Sequence, residues 1–430
     1  QAIIFYGPWV SFTSHGTAKR KPMEGWTRWN LSTLDELQEP FDAFQGYAEN
    51  CKPCALRGLA PKALAPATAR KLCGLQHRCL VSFDPSSKFF YFEECQVPAV
   101  GVGLSPWRLL NPGRVAMDFQ DFLSACKRST HSTKSTNCRS GATASLVNVP
   151  YDADELPDDP EVLPPIKIPL DDLKELALYC VEDAGCPPWC DLLAFGPDPS
   201  SRLPLETLGW QLKERRIWMS SGGAKGASYV SAGFHWDHMH NVHVVLSGSK
   251  EVFLVPPLQA PALRATRFCP QAQWQMDCSA GRMTLQKAPM MSTESSTDYA
   301  LVSIEQSCSE NLRRHPQMAE DMKESPLKVL LQPGDAIYIP PGWWHSIRTH
   351  RPSHDSPGDD LPLALSVNFW YDLPPELKSY ASLLLTLEIL SRQRAMSQLP
   401  QDRISQLLSE ASEAGFAAKD TEDLEFEVVD

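Results

Sequence analysis

Phe234-His235-Trp236-Asp237-His238-Met239-His240-Asn241-Val242-His243-Val244-Val245-Leu246-Ser247-Gly248-Ser249-Lys250-Glu251-Val252-Phe253-Leu254-Val255 is the stretch on which the reading of this chain turns. Its second half holds two runs rich in β-branched and apolar residues, 242–246 and 251–255. Such runs suit pleated strands, and the Ser-Gly-Ser-Lys spacer between them predicts a hairpin-type turn. The first half sets the imidazole of His235 two positions from the carboxylate of Asp237. Residues two apart on a strand share a face, so both side chains can reach one point. Taken alone, the pair equally describes a core histidine beside a turn aspartate.

The flanking sequence extends the pattern. Residues 336–339 and 363–370 read as two further strands, and Pro341-Gly342-Trp343-Trp344-His345 offers a second imidazole. Two His and one carboxylate with open positions form the facial triad suited to non-haem Fe(II). Short strands punctuated by Gly and Pro predict an antiparallel sandwich or barrel. Residues 258–325 read as an excursion from that sheet, helical near 310–323.

Upstream, Ser32-Thr33-Leu34-Asp35 has the form of a helix start, a hydroxyl cap with an acid three positions on. Residues 53–58 predict a short buried strand, and Lys88-Phe89-Phe90-Tyr91-Phe92 a single strand. Residues 116–127 predict a helix with Phe119, Leu123 and Cys126 on one side. The Ser/Thr-rich 128–145 reads as a flexible surface insertion that the acidic, Pro-rich 152–165 extends. Residues 169–183 predict a short amphipathic helix. Beyond Pro374-Pro375, Leu377, Tyr380, Leu384, Leu387 and Leu390 recur at helical spacing, with a second helix around Ile404, Leu407 and Leu408. Four regions follow: a helix/strand region 1–127, an insertion 128–165, a catalytic β domain 166–372 and a helical region with an acidic tail 373–430.

Composition narrows the function. The 430 residues carry a net charge of −12, which opposes a general nucleic-acid surface. Hydrophobic content of 43% is that of a globular protein, and no apolar run is long enough to span a membrane. Thirteen scattered cysteines, an odd number, fit free thiols in a reducing intracellular compartment, cytoplasmic or nuclear, better than a disulfide framework. The sequence opens on Gln1, so no targeting segment is read from its start.

The ordered set His-x-Asp (235, 237), Asn241, Gly-x-Lys (248–250), Leu-Val-Pro-Pro (254–257), Gly-Asp-x-x-Tyr-Ile-Pro (334–340), Trp-Trp-His (343–345) and Val-Asn-Phe-Trp (367–370) resembles the JmjC/cupin-type 2-oxoglutarate oxygenases. The resemblance is plainest over 210–372 and is similar to the hydroxylase branch, which includes the asparaginyl hydroxylase that inhibits hypoxia-inducible factor. A weaker echo, Pro53-x-x-x-Arg57-Gly58, lies upstream. The resemblance implies a mainly β fold with flanking helices, a double-stranded β-helix (jelly roll) followed by C-terminal helices that dimerise in related hydroxylases. It implies Fe(II) on His235, Asp237 and His345. It also implies 2-oxoglutarate on Lys250, with Asn241, Asn368 and Trp370 lining its pocket, and O2 as the oxidant. In isolation Lys250 would be a surface lysine in a turn, Asn368 a backbone-bonded amide and Trp370 a core residue. One position departs from the family pattern: Ala232 stands where a Thr or Ser commonly contacts the cosubstrate, and Ser231 or Tyr229 are the candidate replacements.

Spacing and parity favour His235 over His238, His240 and His243 as the ligand, leaving those three behind the site or facing solvent. Cys51-x-x-Cys54 with Cys73, His77 and Cys79 only superficially resembles a zinc site, because its second half lacks regular spacing. The function implied is hydroxylation of a protein side chain with oxidative decarboxylation of 2-oxoglutarate to succinate. The alternatives are N-methyl-lysine demethylation, hydroxylation of a tRNA base, which the acidic balance opposes, and a non-catalytic cupin-like scaffold, which would have lost a ligand or the lysine.

Overall fold

A computed structural model describes residues 29–372 except 30, 40, 62–65, 95–106, 131–142, 150–165, 191–198, 200, 201, 206, 225, 226, 278–282, 291–293, 323 and 353–362. The C-terminal helices expected after Pro374 therefore lie outside the described residues. Among the described residues, no helix is long and apolar enough to cross a membrane.

Eight strands form the centre: β1 Gln211–Ser220, β2 Tyr229–His235, β3 His240–Ser247, β4 Ser249–Val255, β5 Leu327–Leu331, β6 Ala336–Ile339, β7 Trp344–His350 and β8 Ala364–Asp372. One sheet runs β5-β4-β7-β2 and the facing sheet β1-β8-β3-β6. Every neighbouring pair among them is antiparallel. Successive strands mostly alternate between sheets, so this is the double-stranded β-helix.

The 242–255 stretch is consequently not a hairpin. β3 pairs with β6 and β8, whereas β4 pairs with β5 and β7 in the other sheet. Gly248 makes the corner, with φ +73°; a Cβ there would sit 2.4 Å from the His350 carbonyl oxygen and 2.9 Å from Ala364 Cβ. Only glycine satisfies both conditions. The corner also resets side-chain parity. On β3, Val242, Val244 and Leu246 join the outer core with Phe44 and Leu56. Val245 instead packs inward with Val252 and Leu254 of β4. All eight β3 residues are buried because both faces of the strand are covered. Each fully buried Val or Leu contributes about 1.5–3 kcal/mol.

Several expectations need correction. Ser32–Thr33 is a strand paired in parallel with β5, not a helix start. Leu34 is buried against Ala55 and Val329, and that burial outweighs a local cap. Lys88–Phe89 and Tyr91–Glu94 are two strands, broken at Phe90 with φ +54°. The first pairs with β2 and the second with Trp107–Asn111 in a separate four-stranded sheet. Residues 113–118 are a strand, and the expected helix starts at Phe119 and runs to Thr130, with Phe119, Leu123 and Cys126 buried.

Within the supposed insertion, Thr143–Asn148 is a strand paired on both sides, with Ala144, Leu146 and Val147 buried. The other residues of 128–165 lie outside the described residues, apart from the end of the helix and Val149. The helix over 169–183 shrinks to Leu170–Leu173, and Ala177–Asp183 is a strand between Arg78–Asp84 and β1. Two sheet neighbours decide a sequence of mixed propensity. Residues 258–325 are not outside the sheet. Ala265–Phe268 and Glu294–Ala300 extend the β2 edge, while Gln271–Asp277 and Thr284–Pro289 complete the four-stranded sheet. Their polar sequence suits strands with one wet face, as the mostly exposed Thr284–Pro289 shows. The expected helical part is present as Cys308–Arg314 and Met318–Asp321.

Candidate metal centre and adjoining cavity

His235 closes β2 and His345 lies near the start of β7, directly opposite it in the ladder, where a register shift after Ala232 re-aims the strand. Their rings are 4.4 Å apart. Asp237 lies two residues beyond the end of β2, so strand parity does not hold it. A hydrogen bond from the Gly342 amide to its carbonyl ties it to the turn before His345. Among the described residues, the ligand atoms of His235, Asp237 and His345 form the one group of its kind, all within 4.8 Å of one another.

The hydrogen bonds fix which atoms face inward. His235 Nδ1 lies 2.9 Å from the Gly233 carbonyl, and His345 Nδ1 3.1 Å from that of Trp343. A carbonyl only accepts, so each Nδ1 carries the proton and each Nε2 presents a lone pair. Trp370 Nε1 and Asn241 Nδ2 both donate to Asp237 Oδ2 at 3.3 Å, and Asn368 donates to Asn241 Oδ1 at 2.8 Å. Burial raises the Asp237 carboxyl, but the two imidazoles and these donors outweigh it and hold it below its ordinary range. Burial, then His235, pushes His345 down to about 4, so it is neutral at physiological pH. Two imidazoles and a carboxylate whose ligand atoms lie this close together are a donor set for a divalent transition metal.

The triad opens on a cavity of about 590 Å³. At its far side Lys250 is buried at 3% exposure, and its ammonium donates to Tyr179 Oη at 3.2 Å. Among the described residues no carboxylate pairs with it. Thr349, paired with Lys250 across β4 and β7, also lines the cavity, as do Ser231, Asn241, Asn368 and Trp370. Tyr229 does not: its hydroxyl donates to Glu305. Ser231 and Thr349 thus offer cavity-lining hydroxyls near Ala232, while the Ser346 hydroxyl is taken up by the Ala232 carbonyl.

The other histidines separate. His238 is exposed, and its ring meets Trp236 edge-on. His240 is buried on the outer face of β3, stacked on Trp210 at 4.0 Å with Nδ1 2.8 Å from Tyr338 Oη. His243 is buried and lines the cavity, so neither of these two faces solvent. Cys51, Cys54, Cys73, His77 and Cys79 do not converge on one point.

The sequence matches the family described as the cupin-like domain over residues 106–377. This chain belongs to that family. The cupin-like match begins well upstream of residue 210. Three curated relatives are similar to part of it. Lysine-specific demethylase JMJ31 of Arabidopsis thaliana is 26% identical over 212 residues, 47% of this chain and 30% of that protein. Lysine-specific demethylase JMJ32 of the same plant is 29% identical over 157 residues, 36% of this chain and 42% of that protein. The human Bifunctional peptidase and (3S)-lysyl hydroxylase JMJD7 is 24% identical over 198 residues, 44% of this chain and 52% of that protein. The matches span roughly a third to a half of these relatives' lengths.

Among the cavity residues of this cupin-like domain that escape a sequence reading are Tyr179, His243 and Thr349. Tyr179 sits in a segment that reads as helix. His243 has the inward parity of Asn241, which was the available signal. Thr349 shares the parity of His345 on β7.

Proposed function

We propose that this chain is an Fe(II)- and 2-oxoglutarate-dependent oxygenase of the hydroxylase branch, acting on a protein side chain. The observation that carries the reading is one cavity with two features. Two Nε2 lone pairs and a carboxylate converge at one end, and a buried ammonium without a carboxylate partner stands at the other. A buried cation calls for an anion, and a dicarboxylate supplies one.

Iron, 2-oxoglutarate and O2, when bound, supply oxidative decarboxylation to succinate and CO2 with transfer of one oxygen atom to a substrate C–H bond. His235, Asp237 and His345 would hold the metal. Lys250 and Tyr179 would receive the distal carboxylate of 2-oxoglutarate. Trp370 and Asn241, with Asn368 behind it, orient Asp237 so that its charge faces the metal position. Phe90, stacked on Tyr299 at 5.1 Å, and the edge strands beyond it wall the cavity and restrict water.

N-methyl-lysine demethylation is the second reading, favoured by the two relatives named lysine-specific demethylases. It uses the same hydroxylation, at a methyl carbon. Ten cysteines among the described residues stand as thiols rather than in disulfides, which suits a reducing intracellular site of action.

The test is anaerobic titration with Fe(II) and then 2-oxoglutarate, followed by the weak visible charge-transfer band. The band is expected in the parent protein and absent in His235→Ala. No band in the parent would sink the oxygenase reading. Peptide mass spectrometry then separates the two activities: hydroxylation adds one oxygen mass, demethylation removes one methylene mass.

A further inference from the structure

His243 stands out in the cavity wall. It is 3% exposed, and neither ring nitrogen has a hydrogen-bond partner at ordinary length. Leaving such a group poorly paired in the interior is costly. Its ladder partner across β3 and β8 is Asn368, whose Oδ1 offers the ring a long, weak hydrogen bond and has no closer partner itself. Burial dominates, and the charges of Lys250 and His345 act with it, so the imidazole is held well below its ordinary value. It is therefore neutral, with one N–H to give and one lone pair to receive. It lines the same cavity as Lys250 and His345. The Gly248 corner is what lets it share a cavity with Lys250, because seven positions along one flat strand would point them to opposite faces.

We propose that His243 is a cosubstrate-binding residue, donating its N–H to the distal carboxylate that Lys250 and Tyr179 receive, and so selecting a ligand with an anionic far end. The inference rests on the oxygenase reading above. Lys250 supplies charge and Tyr179 a hydroxyl; His243 supplies a directed donor from the facing sheet. A carboxylate has lone pairs enough for all three. In return the imidazole gains a closer acceptor than the Asn368 amide.

The test uses the Mn(II)-loaded full chain and calorimetry, without turnover. Two ligands are compared: 2-oxoglutarate and 2-oxopentanoate, which keeps the 2-oxo acid and replaces the distal carboxylate by methyl. His243→Leu is expected to weaken 2-oxoglutarate about tenfold, the loss of one hydrogen bond to a charged group, and to leave 2-oxopentanoate unchanged. His243→Gln, which keeps a donor, is expected to recover most of the affinity and guards against misfolding of the leucine variant. Equal losses for both ligands, or no loss for either, would overturn the role of His243. Failure of the parent protein to bind 2-oxoglutarate while it binds Mn(II) would instead remove the oxygenase reading beneath it.

Discussion

The two ends of the cavity are built differently. At the metal end every side chain has a second partner: His235 holds the Gly233 carbonyl, His345 that of Trp343, and Asp237 accepts from Trp370 and Asn241. At the far end Lys250 has one hydroxyl, and His243 has no hydrogen bond of ordinary length, only the Asn368 amide beside it. One end is oriented in advance; the other is buried and incompletely satisfied. A metal demands lone pairs fixed in direction, and partners on the outer atoms fix them. On the oxygenase reading proposed above, a dicarboxylate would bring its own acceptors, and its site would need donors left open.

The largest effect that would break this contrast is at Lys250. Lys250→Met is expected to weaken 2-oxoglutarate binding by about 100-fold, since a charge-assisted pair is lost. Metal affinity should stay the same, and the ligand-free protein should melt no earlier, because an unpaired buried cation has been removed. An earlier melt would mean that Lys250 is satisfied without ligand. Next in size is Trp370→Phe, which deletes one donor to Asp237 while keeping an aromatic ring. Metal affinity should fall about tenfold, read by chelator competition, with 2-oxoglutarate binding to the loaded protein little altered. Unchanged metal affinity would make the indole a packing residue only.

A third effect, read in stability rather than in binding, concerns one imidazole of β3. His240 faces the outer core and burial pushes it down to about 3, against 6.5 for a free imidazole. The unfolded chain then binds a proton that the native state refuses. Stability is greatest above pH 6.5 and falls as pH drops towards 3, by up to about 1.4 kcal/mol per pH unit for this one group. His315 and His345, both pushed to about 4, steepen the fall. Denaturant melts of His240→Gln across that window should show a shallower slope. An unchanged slope would mean that His240 is not the group refusing the proton.

Much of the centre was legible because it is local. The strand runs of 242–246 and 251–255 announce themselves by residue type, and the His-x-Asp pair with the later Trp-Trp-His follows a recognisable order. The errors share a cause. Ser32–Thr33, Ala177–Asp183 and Thr143–Asn148 are strands because distant partners bind them, and local propensity there was weak or pointed elsewhere. Phe90 looked like the middle of a strand, yet its left-handed backbone sends the chain from one sheet to another.

The sequence alone determined the strand-rich class and the His-x-Asp pair, which depend on residue type and short spacing, while His345 and Lys250 took their roles from the family resemblance. Only the tertiary structure decided that Gly248 is a corner between sheets rather than a hairpin turn. It also decided that Tyr179 meets Lys250, that Trp370 steadies Asp237, and that His243 looks into the cavity. Each depends on pairing between segments far apart in the chain, such as β1 with β8, and no local periodicity encodes which distant strand will be the neighbour.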